Sequence, residues 1–202
     1  MEERIPSWGW RDEIQSWTWP ALEGRPLYLR IYTAGDRVEV RLNRVVVDTR
    51  SITSSDEMQV AVSVPYGPGS LEIIAYRNNA EIGRRLLATT SAPAKVRVRP
   101  ESLRGAATRD ALSFLHVEVL DIQDRLVPNA QQSIQLIIEG PGELIAFGSA
   151  NPRAVGSFQS PVAQCYLGRA LAIVRSRGKR GTLTVKATST GLQTGQMAIR
   201  LG

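Results

Sequence analysis

The chain reads Leu-Tyr-Leu-Arg-Ile-Tyr over residues 27–32 and Arg-Val-Glu-Val-Arg-Leu over residues 37–42. In both runs an aliphatic side chain recurs at every second position, which is the period of a β-strand that buries one face. Between the runs, Ala34-Gly35-Asp36 supplies the glycine that a tight reversal needs. This pattern predicts two half-buried antiparallel strands joined by a short turn.

The same period continues through the first half of the chain. It predicts further strands over residues 45–48, 58–64, 71–76 and 82–88, with turns at Tyr66-Gly67-Pro68-Gly69 and Asn78-Asn79. Short strands at even spacing are typical of a β-sandwich. Small residues and a proline over 89–93 then interrupt the pattern, which predicts one domain over residues 1–90.

The second half repeats this organisation. Its strongest predicted strand covers residues 112–121, and others are predicted over residues 95–100, 133–139, 144–147, 169–175, 182–187 and 196–201. No stretch of ~12 residues keeps a helical stripe. We therefore expect an all-β fold, with a second sandwich over residues 91–202.

Composition sets limits on the function. The chain has 202 residues, of which 43% are hydrophobic and 22% charged, and no apolar run approaches the ~20 residues of a membrane-spanning helix. Its first residues, Met1-Glu2-Glu3-Arg4, lack the basic start and apolar core of an export signal. We expect no membrane partner.

The net charge is +6, which raises the question of nucleic-acid binding. Arginines supply most of the positive charge and are scattered among acidic residues in both halves. The one local cluster, Arg175-Ser176-Arg177-Gly178-Lys179-Arg180, is interpreted as the solvated tip of a hairpin. We expect no nucleic-acid partner, because such binding needs several contacts arranged together.

Four short motifs occur in the first half, in this order: Ser16-Trp17-Thr18-Trp19, Glu23-Gly24, Val38-Glu39-Val40-Arg41-Leu42-Asn43 and Tyr66-Gly67-Pro68-Gly69. In this order and spacing they resemble the immunoglobulin-like domain that follows the catalytic barrel in family 2 glycoside hydrolases of the β-galactosidase type. Arg44 is a departure, because the family usually has glycine after the asparagine, and it leaves the local turn type open.

The second half resembles the next, invasin-like domain of the same enzymes. The motifs that carry this resemblance are Leu112-Ser113-Phe114, Val117-Glu118-Val119, Val127-Pro128-Asn129-Ala130, Glu139-Gly140-Pro141-Gly142 and Gly168-Arg169-Ala170-Leu171. The resemblance spans about residues 8 to 202 and implies two tandem immunoglobulin-like β-sandwich domains.

The resemblance also implies a function. The chain would be a non-catalytic C-terminal accessory region of a β-galactosidase-like enzyme, bracing the catalytic barrel or bordering its substrate cleft. Its partner would be the catalytic domain of that parent, with oligomer contacts to further copies and a bacterial, periplasmic or secreted location. The two catalytic glutamates of such an enzyme lie on a barrel of ~250 residues, which this chain cannot contain.

The chain offers few candidates for chemistry of its own. His116 is its only histidine, and the alternation of Leu115, Val117 and Val119 places it beside Glu118 on the solvent-facing side of a strand. Asp121, Asp124 and Asn129 lack the spacing of a calcium loop and are interpreted as turn-forming residues. Cys165, the single cysteine, is interpreted as a buried small hydrophobe. No phosphate-cradling loop or dinucleotide fingerprint occurs, so we expect neither a cofactor nor a metal.

All four tryptophans, Trp8, Trp10, Trp17 and Trp19, fall within the first twenty residues. Flat indole faces suit stacking on the apolar side of a sugar ring, which makes a stand-alone carbohydrate-binding or adhesion module the alternative function. We favour packing of these side chains against the first sandwich and the preceding barrel, because large aromatics dominate buried area. Tyr28, Tyr32 and Tyr66 are likewise predicted to be packing residues.

Overall fold

The computed structural model describes residues 13–202. Over these residues the regular structure consists of β-strands and one 3₁₀ turn at Ser54–Asp56, with no α-helix. The chain forms two compact units, the first ending at Thr89 and the second beginning at Thr90. The predicted all-β fold is confirmed, and each unit is an immunoglobulin-like sandwich of two sheets. Within the described range, no helix has the length and hydropathy needed to cross a bilayer.

The first unit contains six strands. They are β1 (Pro26–Tyr32), β2 (Arg37–Leu42), β3 (Val45–Ser51), β4 (Gln59–Pro65), β5 (Ser70–Arg77) and β6 (Ala80–Ala88). One sheet is the antiparallel pair β1-β4, and the other has the order β3-β2-β5-β6. All six strands lie where the hydrophobic period predicts them, with ends shifted by up to three residues.

The predicted pairing of the first two strands is wrong. β1 pairs with β4, whereas β2 lies in the other sheet between β3 and β5. Gly35 therefore serves a crossing between sheets, where a Cβ would approach the carbonyl oxygen of Tyr76 to 2.5 Å. Period two shows which face of a strand is buried, but it carries no information about the neighbouring strand.

The core of the first unit is built from the inward faces of its two sheets. Its buried residues are Trp17, Ile31, Val38, Val40, Val62, Val64, Tyr66 and Leu71. Six of these eight are aliphatic residues from the alternating runs, and the two aromatics come from the segments that flank β1 and β4. The chain buries its core here by the period that the sequence displays.

The structure shows the type of turn at Arg44, which the sequence left open. β2 and β3 are joined by the two residues Asn43 and Arg44, with φ of 51° and 72°. Positive φ at both central residues is the type I′ turn, whose twist matches that of the flanking strands. Asn43 tolerates this region and accepts a hydrogen bond from the Ser70 backbone N–H at 2.8 Å. Arg44 thus occupies a position where glycine would carry no steric cost.

The second unit contains nine strands. They are β7 (Lys95–Pro100), β8 (Arg104–Gly105), β9 (Leu112–Leu120), β10 (Ser133–Glu139), β11 (Gly142–Gly148), β12 (Val162–Gln164), β13 (Arg169–Ser176), β14 (Gly181–Thr188) and β15 (Gly195–Leu201). They form two sheets of order β12-β10-β14-β15-β8 and β11-β13-β9-β7. Seven of the nine are predicted from sequence. β8 and β12 have only two and three residues, which is too short for a period to appear.

The arginine-rich segment after β13 is not a hairpin tip, which corrects the prediction. β13 pairs with β9 and β11, while β14 pairs with β10 and β15, so residues 177–180 cross from one sheet to the other. All four of these residues are exposed, in agreement with the prediction of a solvated loop.

Asp121 is fully buried at the end of β9 and accepts four hydrogen bonds. The backbone N–H groups of Ser91, Gln123 and Arg125 donate to its carboxylate at 3.1, 2.9 and 2.9 Å, and Nε of Arg125 donates at 2.9 Å. Burial alone raises the pKa of Asp121, but these donors outweigh burial and leave its pKa below the usual value. The carboxylate thus fastens the start of the second unit to the loop after β9.

We expect the substitution Asp121→Asn to destabilise the second unit by about 2–4 kcal/mol at pH 7, because a buried network loses its charge and an acceptor. The stabilising effect of a carboxylate whose pKa is lowered on folding is present above its unfolded pKa of ~3.9 and is lost as pH falls through the folded pKa. The gap in unfolding free energy between Asp121→Asn and the wild type should therefore begin to narrow as pH falls below the unfolded pKa of ~3.9. Urea unfolding at several pH values measures it.

Asp124→Asn is the matched control, because Asp124 lies in the same loop with a side chain 67% exposed and pairs with Lys95 at 2.8 Å. It should cost less than about 1 kcal/mol. Equal losses for the two variants would contradict the role given to Asp121.

Candidate functional site

Trp17 lies in the core of the first unit, with a side chain only 1% exposed. Its Nε1–H donates to the carbonyl oxygen of Gly67 at 2.9 Å. Its ring meets the ring of Tyr66 edge to face, with centroids 5.2 Å apart and an interplanar angle of 67°. Neither face of this indole is open to a ligand.

Trp19 is half-buried and packs against the same core. Its Nε1–H donates to the carbonyl oxygen of Ser16 at 3.2 Å, and its backbone N–H donates to the hydroxyl of Tyr66 at 3.2 Å. The Thr89 hydroxyl donates to the carbonyl oxygen of Trp17 at 2.7 Å. These contacts fasten residues 16–19, which we call the entry segment, to the turn after β4 and to the end of the first unit.

The other two tryptophans of the predicted cluster, Trp8 and Trp10, lie outside the described residues. The predicted site is therefore represented by Trp17 and Trp19. Of this pair, only Trp19 keeps some solvent exposure.

Tyr28 and Tyr32 are 70% and 61% exposed, so the prediction that they are packing residues of the strand is wrong, whereas Tyr66 is buried as predicted. Leu27, Leu29 and Ile31 point inward from β1, which turns Tyr28, Arg30 and Tyr32 outward. The alternation in the sequence contained this signal. Only the expectation that large aromatics seek burial concealed it.

The two tyrosines lie four residues apart on one strand face, about 13 Å along β1. Between them, Arg30 Nε lies 3.2 Å from Glu13 Oε1, and the Tyr32 hydroxyl donates to Glu13 Oε2 at 3.1 Å. Desolvation and this bond to Glu13 raise the pKa of Tyr32. Their cross-strand neighbours on β4 are Ser63 and Gln59, so the rings stand beside small or polar side chains. We call Tyr28, Arg30 and Tyr32 the tyrosine strip.

His116 lies on the outer face of β9 as predicted, with its Nε2 3.4 Å from Oε1 of Glu101. Glu118, predicted to be solvent-facing, is instead only 7% exposed. Arg97 donates to Glu118 Oε2 from Nε at 3.1 Å and from Nη2 at 2.8 Å, and Nε of Arg169 lies 3.9 Å from its other oxygen. Arginines on both neighbouring strands cover this carboxylate, since the cross-strand register aligns all three residues.

Cys165 is buried at 2% exposure, as predicted, and its thiol donates to the carbonyl oxygen of Ala130 at 3.3 Å. Burial raises the pKa of this thiol, which disfavours the reactive thiolate. Among residues 13–202 no three His, Cys, Asp or Glu side chains converge as metal ligands.

Two family models match the chain. Residues 96–198, just over half of the chain, match glycoside hydrolase family 2 C-terminal domain 5. Residues 24–83 match a domain of unknown function (DUF4982). The two matches fall within the second and first units respectively.

Relatives that match more than two thirds of the chain carry glycosidase names. The chain is similar to β-galactosidase BoGH2A of Bacteroides ovatus, with 26% identity over 94% of its length. It is also similar to a putative β-glucuronidase of Formosa agariphila, with 27% identity over 69% of its length. A crystal structure of a glycosyl hydrolase family 2 member from Bacteroides cellulosilyticus covers 96% of the chain at a TM-score of 0.92 and 25% identity.

The chain spans only part of each of these proteins. It corresponds to 21% of the Bacteroides ovatus protein, 14% of the Formosa agariphila protein and 25% of the crystallised chain.

We expect Trp17→Ala to destabilise the first unit by about 3–5 kcal/mol, because it leaves a large cavity and an unpaired Gly67 carbonyl. Tyr28→Ala removes an aromatic ring of similar size from the surface and should change stability by less than about 0.5 kcal/mol. Urea unfolding followed by circular dichroism measures both. Similar free energies for the two variants would contradict the core position of Trp17.

Proposed function

The chain belongs to the glycoside hydrolase family 2 C-terminal domain 5 family, and from this premise we propose that it is a non-catalytic accessory region of a β-galactosidase-like enzyme. The names of the relatives support a glycosidase as the parent. Their greater length supports a catalytic domain elsewhere in such a parent, as the partner of this region.

The environment of the buried carboxylates carries this proposal. A retaining glycosidase pairs a carboxylic acid of raised pKa with a carboxylate nucleophile ~5 Å away. Among the described residues, the buried carboxylates are Glu118 and Asp121. Arginines hold both, and the pKa of Asp121 is lowered rather than raised. Neither is suited to protonate a leaving group.

The entry segment supports a bracing role. Trp17 and the hydrogen bonds around Trp19 hold residues 16–19 rigidly against the first unit. Residues 16–19 are thereby a point of attachment that is fixed to the first unit. The accessory region would in this way hold a catalytic barrel in a defined orientation.

We also propose that the two halves, residues 1–90 and 91–202, are separate folding domains. Each unit has its own buried cluster of aliphatic side chains, which is the property that lets a domain fold by itself.

Carbohydrate binding is the second candidate function, and the tyrosine strip favours it over the buried Trp17. Two exposed phenol rings beside Ser63 and Gln59 offer apolar faces next to polar side chains, which suits a sugar with one apolar side. The Arg30–Glu13 pair leaves the strip close to neutral and therefore suited to an uncharged glycan.

The accessory role predicts that the purified chain turns over neither nitrophenyl β-galactoside nor nitrophenyl β-glucuronide. The release of nitrophenol measures this, with a full-length family 2 β-galactosidase as the positive control. Turnover that copurifies with the chain, and that persists when the chain is expressed in a host lacking its own β-galactosidase and β-glucuronidase genes, would contradict the proposal.

Carbohydrate binding at the tyrosine strip predicts that galacto-oligosaccharides bind the chain and that the pair Tyr28→Ala and Tyr32→Ala weakens binding by about tenfold, as loss of two ring contacts implies. Titration calorimetry measures it. Leu86→Ala is the control, because Leu86 is 60% exposed on β6 of the other sheet and should leave binding unchanged. Indifference of binding to the tyrosine pair would count against this function.

A further inference from the structure

The positive charge of the chain belongs to its second unit. Residues 90–202 contain fourteen Lys and Arg against seven Asp and Glu, a net charge of +7, whereas residues 1–89 contain eleven against twelve. This difference in net charge between the two units is not obvious in the sequence, because arginines occur among acidic residues in both halves. A surface that binds anions is therefore to be sought on the second unit alone.

One edge of the sheet β12-β10-β14-β15-β8 brings two distant arginines together. Arg200 on β15 lies beside Arg104 on β8 in the parallel register, and Thr182 of β14 lies on the other side of Arg200. Ile199 and Leu201 are buried, so Arg200 points outward with its cross-strand neighbours. The row Arg104, Arg200 and Thr182 therefore ends at Thr182, two residues after Arg180 in the sequence.

The crossing loop 177–180 adds further basic side chains at the same place. The Ser176 backbone N–H donates to the carbonyl oxygen of Ala111 at 2.9 Å, which holds the loop beside residues 109–111. Arg109 packs on the loop so closely that a Cβ on Gly178 would lie 2.8 Å from Arg109 Cγ. The Ala107 N–H donates to the carbonyl oxygen of Gly202 at 3.2 Å, which joins this segment to the end of β15.

Six exposed side chains from four separate segments thus form one surface, which we call the basic patch. Its members are Arg104, Arg109, Arg177, Lys179, Arg180 and Arg200. None of the six forms an ion pair with a carboxylate of residues 13–202, whereas Lys95, Arg97, Arg125, Arg175 and Lys186 of the same unit all do. Asp110, which follows Arg109 directly in the sequence, is the acidic residue next to a member of the patch.

The composition of the basic patch suits it to oxyanions. Five of its six members are arginines, whose planar guanidinium groups bind carboxylates and phosphates through two parallel hydrogen bonds. The segments 103–109, 177–182 and 198–202 contain no aromatic residue on which a base could stack and no helix that could enter a groove of DNA.

We propose that the basic patch binds an acidic polysaccharide through the carboxylates of its uronic acid units. The charge of the patch is complementary to such a polymer, which carries a carboxylate on each uronic acid unit. The choice of a polysaccharide as the polymer rests on the proposed function. The binding site itself rests on the cross-strand register and on the loop contacts.

Binding of the full chain to polygalacturonate, measured by affinity electrophoresis and biolayer interferometry, tests the proposal. We expect binding that weakens as sodium chloride is added, because salt screens exposed charges. The combination of Arg177→Gln, Arg180→Gln and Arg200→Gln should weaken binding by about tenfold or more, as loss of several charge-assisted contacts implies.

The matched control is the combination of Arg44→Gln, Arg99→Gln and Arg153→Gln, which removes the same charge at exposed positions outside the patch. It should leave the affinity within about threefold of wild type. Thermal unfolding of both variants shows whether each remains folded. If the two combinations weaken binding equally, net charge is responsible and the patch is overturned as a site.

Three further results would overturn the proposal: no binding of the wild-type chain, equal binding to uncharged galactan, or tighter binding to DNA or dextran sulfate. The same samples are assayed for glycoside turnover. Turnover would contradict the accessory role and leave the patch intact, whereas loss of polygalacturonate binding alone would overturn the patch and leave the accessory role intact.

Discussion

Burial of alternate side chains along antiparallel strands is the constraint on which both units depend. Each strand gives one row of aliphatic side chains to a core, as Val38 and Val40 do in the first unit and Val117 and Val119 do in the second. Apolar area removed from water stabilises the fold by about 25 cal/mol per Å², and the pleat delivers that area at every second residue. The opposite row remains outside and is free to carry polar or aromatic groups.

Two buried polar groups of this arrangement, one in each unit, have their hydrogen-bond partners within the same unit. The Trp17 indole donates to Gly67, and the Asp121 carboxylate accepts three backbone hydrogen bonds and one from Arg125. An unpaired buried donor or a lone buried charge would cost several kcal/mol, so these partners decide which loops lie where. In both cases the buried group fixes a segment near the boundary of its own unit.

The outward rows give the two units different surfaces. The first unit presents Tyr28 and Tyr32 next to the balanced pair of Arg30 and Glu13, a nearly neutral surface with flat rings. The second unit presents guanidinium groups from β8, β15 and two loops that have no carboxylate partner among residues 13–202. Neither surface presents the carboxylate pair of a glycosidase. Both surfaces are formed by outward-facing side chains that contribute little to the cores.

The sequence alone determined the fold class, nearly all the strands, the faces they bury and several turns, because period two and turn chemistry are local properties of the chain. It also contained the motifs that place the chain in its family. Tertiary structure decided that β1 pairs with β4 rather than β2, and that Glu118 lies beneath Arg97. It likewise brought Arg104 and Arg200 together across almost a hundred residues. These outcomes depend on which strands become neighbours, and the contacts that select a neighbour form between segments whose separation no local pattern records.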